Sequence, residues 1–272
     1  MTSGKIKAHF GVQVLVQEQN GRISRFNVGH NSGHVVGDRV QIESGQLTRS
    51  PRDNALSRQT HFGNKVIAAN LDYVGLVVSC KPKTPLYFID QVTVSCRASQ
   101  IEPFIVVTKL DLPKSTEFLK SVKSTYSKSV PVLVGFEELQ KFLTKQARFI
   151  LVGVSGAGKS SLMNKLAPDA EQKIQALSEK KSTGKHTTSG SMLVDLPGGG
   201  ELIDSPGVRN FRPADFDLKD LAYYFPGFED FRDKPCEFRN CQHLKEPSCV
   251  IRKQTKPADY ERFLGLRSNL LK

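Results

Sequence analysis

Residues 153–160 read Gly153-Val154-Ser155-Gly156-Ala157-Gly158-Lys159-Ser160, directly after the apolar run Arg148–Val152 and before the helical text that begins Ser161-Leu162. This is the pattern G-x-x-x-x-G-K-[ST] in its required setting, with a strand ahead and a helix behind. Glycines at these positions let backbone N–H groups turn inward around phosphates, and the helix N-terminus adds its dipole. Lys159 is expected to reach the β and γ oxygens and to act in catalysis. Ser160 is expected to ligate Mg2+, with Ser161 beside it.

Outward from this loop the text alternates between strand and helix. Val74–Ser79 and Ile105–Thr108 are continuous apolar runs of the kind buried on both faces of a parallel sheet. Tyr87–Ala98 and Ser115–Tyr126 read as helices, Val130–Val134 as a strand and Phe136–Leu143 as a short helix. This is the α/β pattern. Met192–Leu196 and Glu201–Asp204 flank Pro197-Gly198-Gly199-Gly200 and predict an antiparallel hairpin.

Fifty-one residues after Gly153, Asp204-Ser205-Pro206-Gly207 ends that hairpin. A carboxylate there can hold Mg2+ through water, and the Gly207 N–H can meet a γ-phosphate. Between the two motifs, Thr187-Thr188 occupies the place of a switch threonine; Thr188 is the candidate magnesium ligand, with Thr187 the alternative.

The base is decided further upstream. Thr108-Lys109-Leu110-Asp111 follows the buried run Phe104–Val107 and is one residue away from N-K-x-D. An aspartate here accepts two hydrogen bonds from the N1–H and amine of guanine, whereas adenine offers no matching pair of donors. Lys109 is expected to lie along the ring. In ordinary GTPases this motif follows D-x-x-G; here it precedes the phosphate loop by 45 residues. The motif order is therefore circularly permuted. Strand neighbours in a sheet are set by space rather than chain order, so the site at the carboxyl edge survives the permutation.

The two ends of the chain carry different texture. Ile6–Val16 shows apolar residues at every second position and predicts one strand with a buried face; Asn20-Gly21 predicts a turn into Arg22–Val28, and a further strand lies near Asp38–Glu43. The first 64 residues thus read as an all-β module of barrel type, with nine Lys/Arg against four Asp/Glu through Lys65. At the other end Cys236, Cys241, His243 and Cys249 form C-x4-C-x-H-x5-C, three thiolates and one imidazole suited to a structural tetrahedral Zn2+. Ala258–Leu271 predicts a closing helix. The whole chain carries 39 Lys/Arg against 27 Asp/Glu, a net +12, which favours a polyanionic partner. No run of about 18 apolar residues occurs, so no membrane partner is expected.

Together the β module, T-K-x-D, GVSGAGKS, the KHTT segment, DSPG and the Cys/His cluster resemble the RsgA (YjeQ) family of ribosome-biogenesis GTPases over nearly the whole chain. The resemblance implies a multi-domain protein: an OB-fold RNA-binding domain over 1–64, a circularly permuted P-loop GTPase domain over 65–220, and a zinc-binding domain with a helix over 221–272. It implies GTP hydrolysis to GDP stimulated by the small ribosomal subunit, rRNA binding, one structural Zn2+, Mg2+ with GTP, and a cytoplasmic monomer. Thr108 stands where many relatives have Asn, and the Ser-Ala loop that usually contacts guanine is not evident near Val130–Gly135. Val208 stands where many GTPases have a water-orienting Gln; His186, beside the threonines, is the candidate catalytic replacement, with a loop histidine as the alternative. Arg22, Arg25, Arg39, Arg49, Arg52 and Arg58 are the candidate RNA-facing cations. A small-molecule P-loop kinase or ATPase is one rival reading, and it leaves T-K-L-D, the barrel and the zinc cluster unexplained. A second is a nucleic-acid-binding module with a degenerate, non-hydrolysing nucleotide site, which Val208 would suit and which intact Lys159, Ser160 and Asp204 argue against.

Overall fold

The computed structural model describes residues 2–60, 63–143, 146–168, 190–205 and 217–271. The expected site residues His186, Thr187, Thr188 and Gly207 lie outside the described residues, as does Val208.

Eleven strands form one sheet. Its centre is made by β8 (Tyr73–Val78), β9 (Glu102–Val107), β10 (Val132–Val134), β11 (Arg148–Val152), β12 (Ser191–Asp195) and β13 (Glu201–Asp204), in the order β10-β9-β8-β11-β13-β12. All neighbours are parallel except the β12–β13 hairpin. The parallel strands read as unbroken apolar runs because both of their faces are buried. One face packs against α1 (Leu86–Ala98) and α2 (Ser115–Tyr126), through Val74, Leu76, Ile89, Val92, Ile105 and Tyr126. The other packs against α3 (Gly135–Phe142) and α4 (Lys159–Leu166), through Phe104, Phe149, Leu139 and Leu162.

The sheet does not stop at β12. Its next strand is β1 (Thr2–His9), paired antiparallel with β12 at Ala8↔Met192 and His9↔Ser191. Beyond it come β2 (Gln13–Glu18) and β3 (Ile23–Asn27), while the first half of β1 pairs with β4 (Arg39–Glu43), which pairs with β5 (Gln46–Arg49). The N-terminal module is thus hydrogen-bonded into the same sheet as the parallel strands.

The single strand expected over Ile6–Val16 is two strands. The chain turns between them, where the Phe10 amide donates to the Gln13 carbonyl (2.7 Å). The period-2 pattern runs through the turn because both arms bury the same face, with Ile6, Val14 and Val16 in one cluster. β6 (Ala55–Thr60) and β7 (Gly63–Ala69) form a separate hairpin, and β7 runs across residues 64–65, where the sequence places the first boundary.

At the C-terminus α5 (Leu221–Tyr224), α6 (Val250–Gln254) and α7 (Pro257–Leu270) gather around Phe225, Phe228 and Phe263, each no more than 1% exposed. Val94 of α1 belongs to the same cluster, so this unit is packed against the helix that covers one face of the sheet. Among the described residues no helix is long and apolar enough to cross a membrane.

Candidate functional site

The phosphate loop links β11 to α4 and is drawn close under β8. A Cβ on Gly153 would stand 2.4 Å from the Val77 carbonyl oxygen, so no larger residue fits there without moving backbone. Lys159, the first residue of α4, donates from Nζ to the Gly153 (2.6 Å) and Val154 (3.0 Å) carbonyls, which holds its ammonium over the loop. Ala157 is buried beneath, while Ser155, Gly156 and Ser160 face solvent and Val154 and Gly158 are half-buried.

Thr108, Lys109, Leu110 and Asp111 leave the carboxyl end of β9, two strands from β11. Thr108 is buried, and its hydroxyl lies 2.6 Å from the Ala157 carbonyl and 3.1 Å from that of Val78. Having one proton, it can donate to one of them at a time, and the shorter contact ties this segment to the phosphate loop. The side chain therefore faces the protein. Lys109 adopts a left-handed backbone (φ 57°) and donates to the Lys81 carbonyl at 2.8 Å. Leu110 and Asp111 are exposed beside them. The Ser115 hydroxyl holds the turn by donating to the Leu110 carbonyl at 2.7 Å.

Two neighbouring segments carry no motif. The loop 79–84, leaving β8, is closed by the Ser79 amide donating to Thr84 Oγ1 (3.1 Å) and the Ser79 hydroxyl donating to the Pro82 carbonyl (3.0 Å). Pro82 approaches Gly156, leaving 3.5 Å to the position a Cβ would take there. The Gly135 backbone lies against Leu110, a Cβ position there being 3.7 Å from Cδ1. Both segments leave the carboxyl ends of parallel strands, the one sequence signal that would have found them.

Asp204 ends β13, directly beside the phosphate-loop strand, since Ile150 pairs with Ile203. Burial pushes its carboxyl above the ordinary aspartate value, and no ion pair of Asp204 is found among the described residues to oppose that. A hard cation beside it would offset the desolvation.

The four predicted metal ligands converge. Cys236, Cys241, His243 and Cys249 present ligand atoms that all lie within 4.8 Å of one another. His243 Nδ1 is 3.6, 3.6 and 3.5 Å from the three sulfurs. A tetrahedral centre with bonds of about 2.3 Å to sulfur and about 2.0 Å to nitrogen requires an S···N edge of about 3.5 Å. The amides of Val250 and Arg252 donate to Cys236 Sγ (3.4 Å) and Cys249 Sγ (3.3 Å), as suits thiolates. The Tyr260 hydroxyl donates to the His243 carbonyl at 2.8 Å, anchoring the knuckle to α7. The set can hold a metal ion.

The six arginines expected on one RNA face do not share one role. Arg52 is bound to fully buried Asp38 (2.6 and 2.9 Å) and to the Gly33 carbonyl, so its charge is spent inside the module. Arg49 donates to the Gly33 carbonyl at 2.8 Å, and Arg39 pairs with Asp53. Arg22 and Arg25 stand exposed at β3.

Known proteins share this arrangement. A profile of the RsgA GTPase family matches residues 49–213. The small ribosomal subunit biogenesis GTPase RsgA of Hahella chejuensis is 34% identical over 296 residues, spanning 98% of this chain and 84% of that protein. Its counterpart in Azotobacter vinelandii is 35% identical over 92% of this chain and 79% of its own length. The crystal structure of YjeQ from Thermotoga maritima superposes with a TM-score of 0.73 at 27% identity, covering 99% of this chain and 98% of that one. YloQ, described as a circularly permuted GTPase, shares the fold with a TM-score of 0.71 at 22% identity, over 99% and 95% of the two chains. With its strands in permuted order and this likeness held from end to end, the chain belongs to the RsgA family of GTPases.

Proposed function

We propose that this chain hydrolyses GTP to GDP and phosphate on the small ribosomal subunit, in late maturation of that particle, and that the subunit stimulates turnover. The observation that carries the reading is the Thr108–Ala157 hydrogen bond, which couples the guanine-reading segment to the phosphate loop across a permuted sheet. Asp111 reads the guanine edge, with Lys109 and Leu110 beside it, and discrimination against adenine follows from the carboxylate it would leave unpaired. The backbone amides from Gly153 through Ser161 bind the phosphates, and Lys159 neutralises charge on the β and γ oxygens. Ser160 and Thr188 would ligate Mg2+ and Asp204 would hold it through water; when bound, the ion would neutralise charge on the transferring phosphoryl group. Thr187 and Gly207 complete the γ-phosphate contacts, and His186 is the candidate that orients water.

The N-terminal strands are read as an OB-fold that touches rRNA through exposed Arg22 and Arg25, with Arg39, Arg49 and Arg58 as further candidate contacts. The domain division at 64/65 and 220/221 is retained as a description of composition. The Cys/His cluster is read as one structural Zn2+ site, its four positions filled by the protein. A cytoplasmic monomer fits these partners.

The test is GTP turnover with and without purified small ribosomal subunits, with ATP and Asp111→Asn as specificity controls. Stimulated hydrolysis of GTP alone, lost in Asp111→Asn, is expected. Subunit-independent turnover of ATP would overturn the reading.

A further inference from the structure

The N-terminal module grips the β12–β13 hairpin at both of its ends. At the Asp195/Glu201 end, Lys5 pairs with Glu201 and Lys7 with Asp195 (2.7 Å). At the other end, where Asp204 and Ser205 emerge, the grip is made by packing and register. Ala8, Met192 and Asp204 lie in one row across β1, β12 and β13. Residues directly opposite in such a row share one face of the sheet. On that face Ala8, Leu15 and Met192 form a small buried cluster that Phe10 covers.

The ring of Phe10 also fixes the chain just before β12. A Cβ on Gly190 would lie 2.5 Å from Phe10 Cδ1 and 2.7 Å from the His9 carbonyl oxygen, so Gly190 is seated flush against the turn between β1 and β2. One residue on, Ser191 pairs with His9, and its hydroxyl lies 3.1 Å from that of Ser205, the neighbour of Asp204. Every link from Phe10 to Asp204 is therefore a direct contact or a register pair.

We propose that Phe10 is a positioning residue for GTP hydrolysis: seated on Gly190 and Met192, it sets the place of β12 and hence of the Asp204 carboxylate beside the phosphate loop. This rests on Asp204 being the magnesium-side carboxylate. The contacts that GDP keeps, to the base and to the α- and β-phosphates, come from β9, β11 and the loops that leave them, on the far side of β13 from Phe10. The residue thus acts on the reaction more than on nucleotide retention.

The experiment uses the full chain and measures GTP turnover across a Mg2+ titration, GDP affinity in the absence of Mg2+, and the melting midpoint. Phe10→Ala is expected to lower kcat about tenfold and to raise the Mg2+ concentration for half activity, with GDP affinity unchanged. Phe10→Leu, which keeps the apolar contact, is expected to recover most of the rate. Gly190→Ala, which drives a methyl group into the His9 carbonyl, is expected to reproduce the Phe10→Ala profile. Wild-type turnover in Phe10→Ala and Gly190→Ala would overturn the proposal, as would a parallel fall in turnover, GDP affinity and melting midpoint that Leu does not rescue. Asp204→Ala separates the two layers. Wild-type turnover and Mg2+ dependence in that variant would remove the underlying reading; a dead Asp204→Ala beside a normal Phe10→Ala would remove only the proposal.

Discussion

The nucleotide-site sheet is joined to its neighbours by two seams built from opposite materials. On the N-terminal side the joint is backbone: β1 adds to β12, and ions close over it. Glu201 receives Lys5 and two bonds from Arg148 (2.8 Å each), and Arg148, the first residue of β11, also reaches the Gly37 and Asn70 carbonyls at 3.2 and 3.1 Å. On the C-terminal side the joint is made by side chains. Phe225, Phe228 and Phe263 pack on one another with ring centroids 4.8 to 5.5 Å apart, Val94 of α1 enters their cluster, and polar contacts cross to α1 and α2. Among these, Arg97 pairs with Glu229 at 2.7 Å, and Arg262 reaches buried Asp90 while stacking on Tyr126 and Phe225. A backbone seam transmits register and an apolar seam transmits little beyond adhesion, because dispersion and burial are non-directional. The first is suited to placing Asp204; the second is suited to carrying a metal knuckle.

The largest effect is expected at the cluster of Cys236, Cys241, His243 and Cys249. A structural zinc in a small unit contributes on the order of 10 kcal/mol of apparent binding energy to folding. Cys249→Ser, or a strong chelator, is expected to open residues 217–271 to limited proteolysis while GDP binding persists. Simultaneous loss of both would mean that the aromatic seam is integral to the nucleotide site.

Next in size is Phe263→Ala, which empties a fully buried ring site and is expected to cost about 3–5 kcal/mol, read as a shift in the denaturant midpoint. Glu201→Gln should cost less, about 1–3 kcal/mol, by leaving Lys5 and Arg148 without their charge partner. Unlike Phe263→Ala it should also slow GTP turnover, because it loosens the hairpin that ends in Asp204.

The smallest effect, and the most discriminating, is the pH response. Burial alone would raise the Glu201 carboxyl, but Lys5 and Arg148 outweigh it and hold the group below its ordinary 4.5. Its stabilisation is present above that value and is lost as pH falls below it. Asp90 behaves in the opposite sense: burial pushes it from 3.8 to about 6, against the pull of Arg262 and Tyr126. The stability it gives is greatest at low pH and is lost as pH rises from 3.8 towards about 6. Acid should therefore loosen the first seam and tighten the second. Subtracting the melting curves of Glu201→Gln and Asp90→Asn from wild type across pH 3.5 to 6.5, a window that spans about one unit around these groups, should give slopes of opposite sign; equal signs would sink the contrast.

Much of the site was legible because its signals are local. The strand Arg148–Val152 and the helix Ser115–Tyr126 occupy the residues that periodicity assigns to them, and the cysteine spacing alone brought out the metal cluster. What stayed hidden depends on distant partners. Nothing in the text of Ala8-His9 announces pairing with Ser191-Met192, since backbone hydrogen bonds carry no side-chain signature. Arg52 looks like a surface cation until Asp38 is found beside it. Thr108 looks like a weakened base contact until its hydroxyl is seen to face the phosphate loop.

The shared strand also has a consequence for synthesis. β1 leaves the ribosome well before β12, and its Thr2–Lys5 half can pair early with β4, but Ala8 and His9 wait for residues 191 and 192. At roughly 5–20 residues per second that delay is about 10–40 s, far longer than hairpin formation. Through that interval the nascent chain carries a short open β edge, a template for pairing with other chains. The permutation that leaves the nucleotide site intact thus gives this protein a late, long-range closing step in its folding.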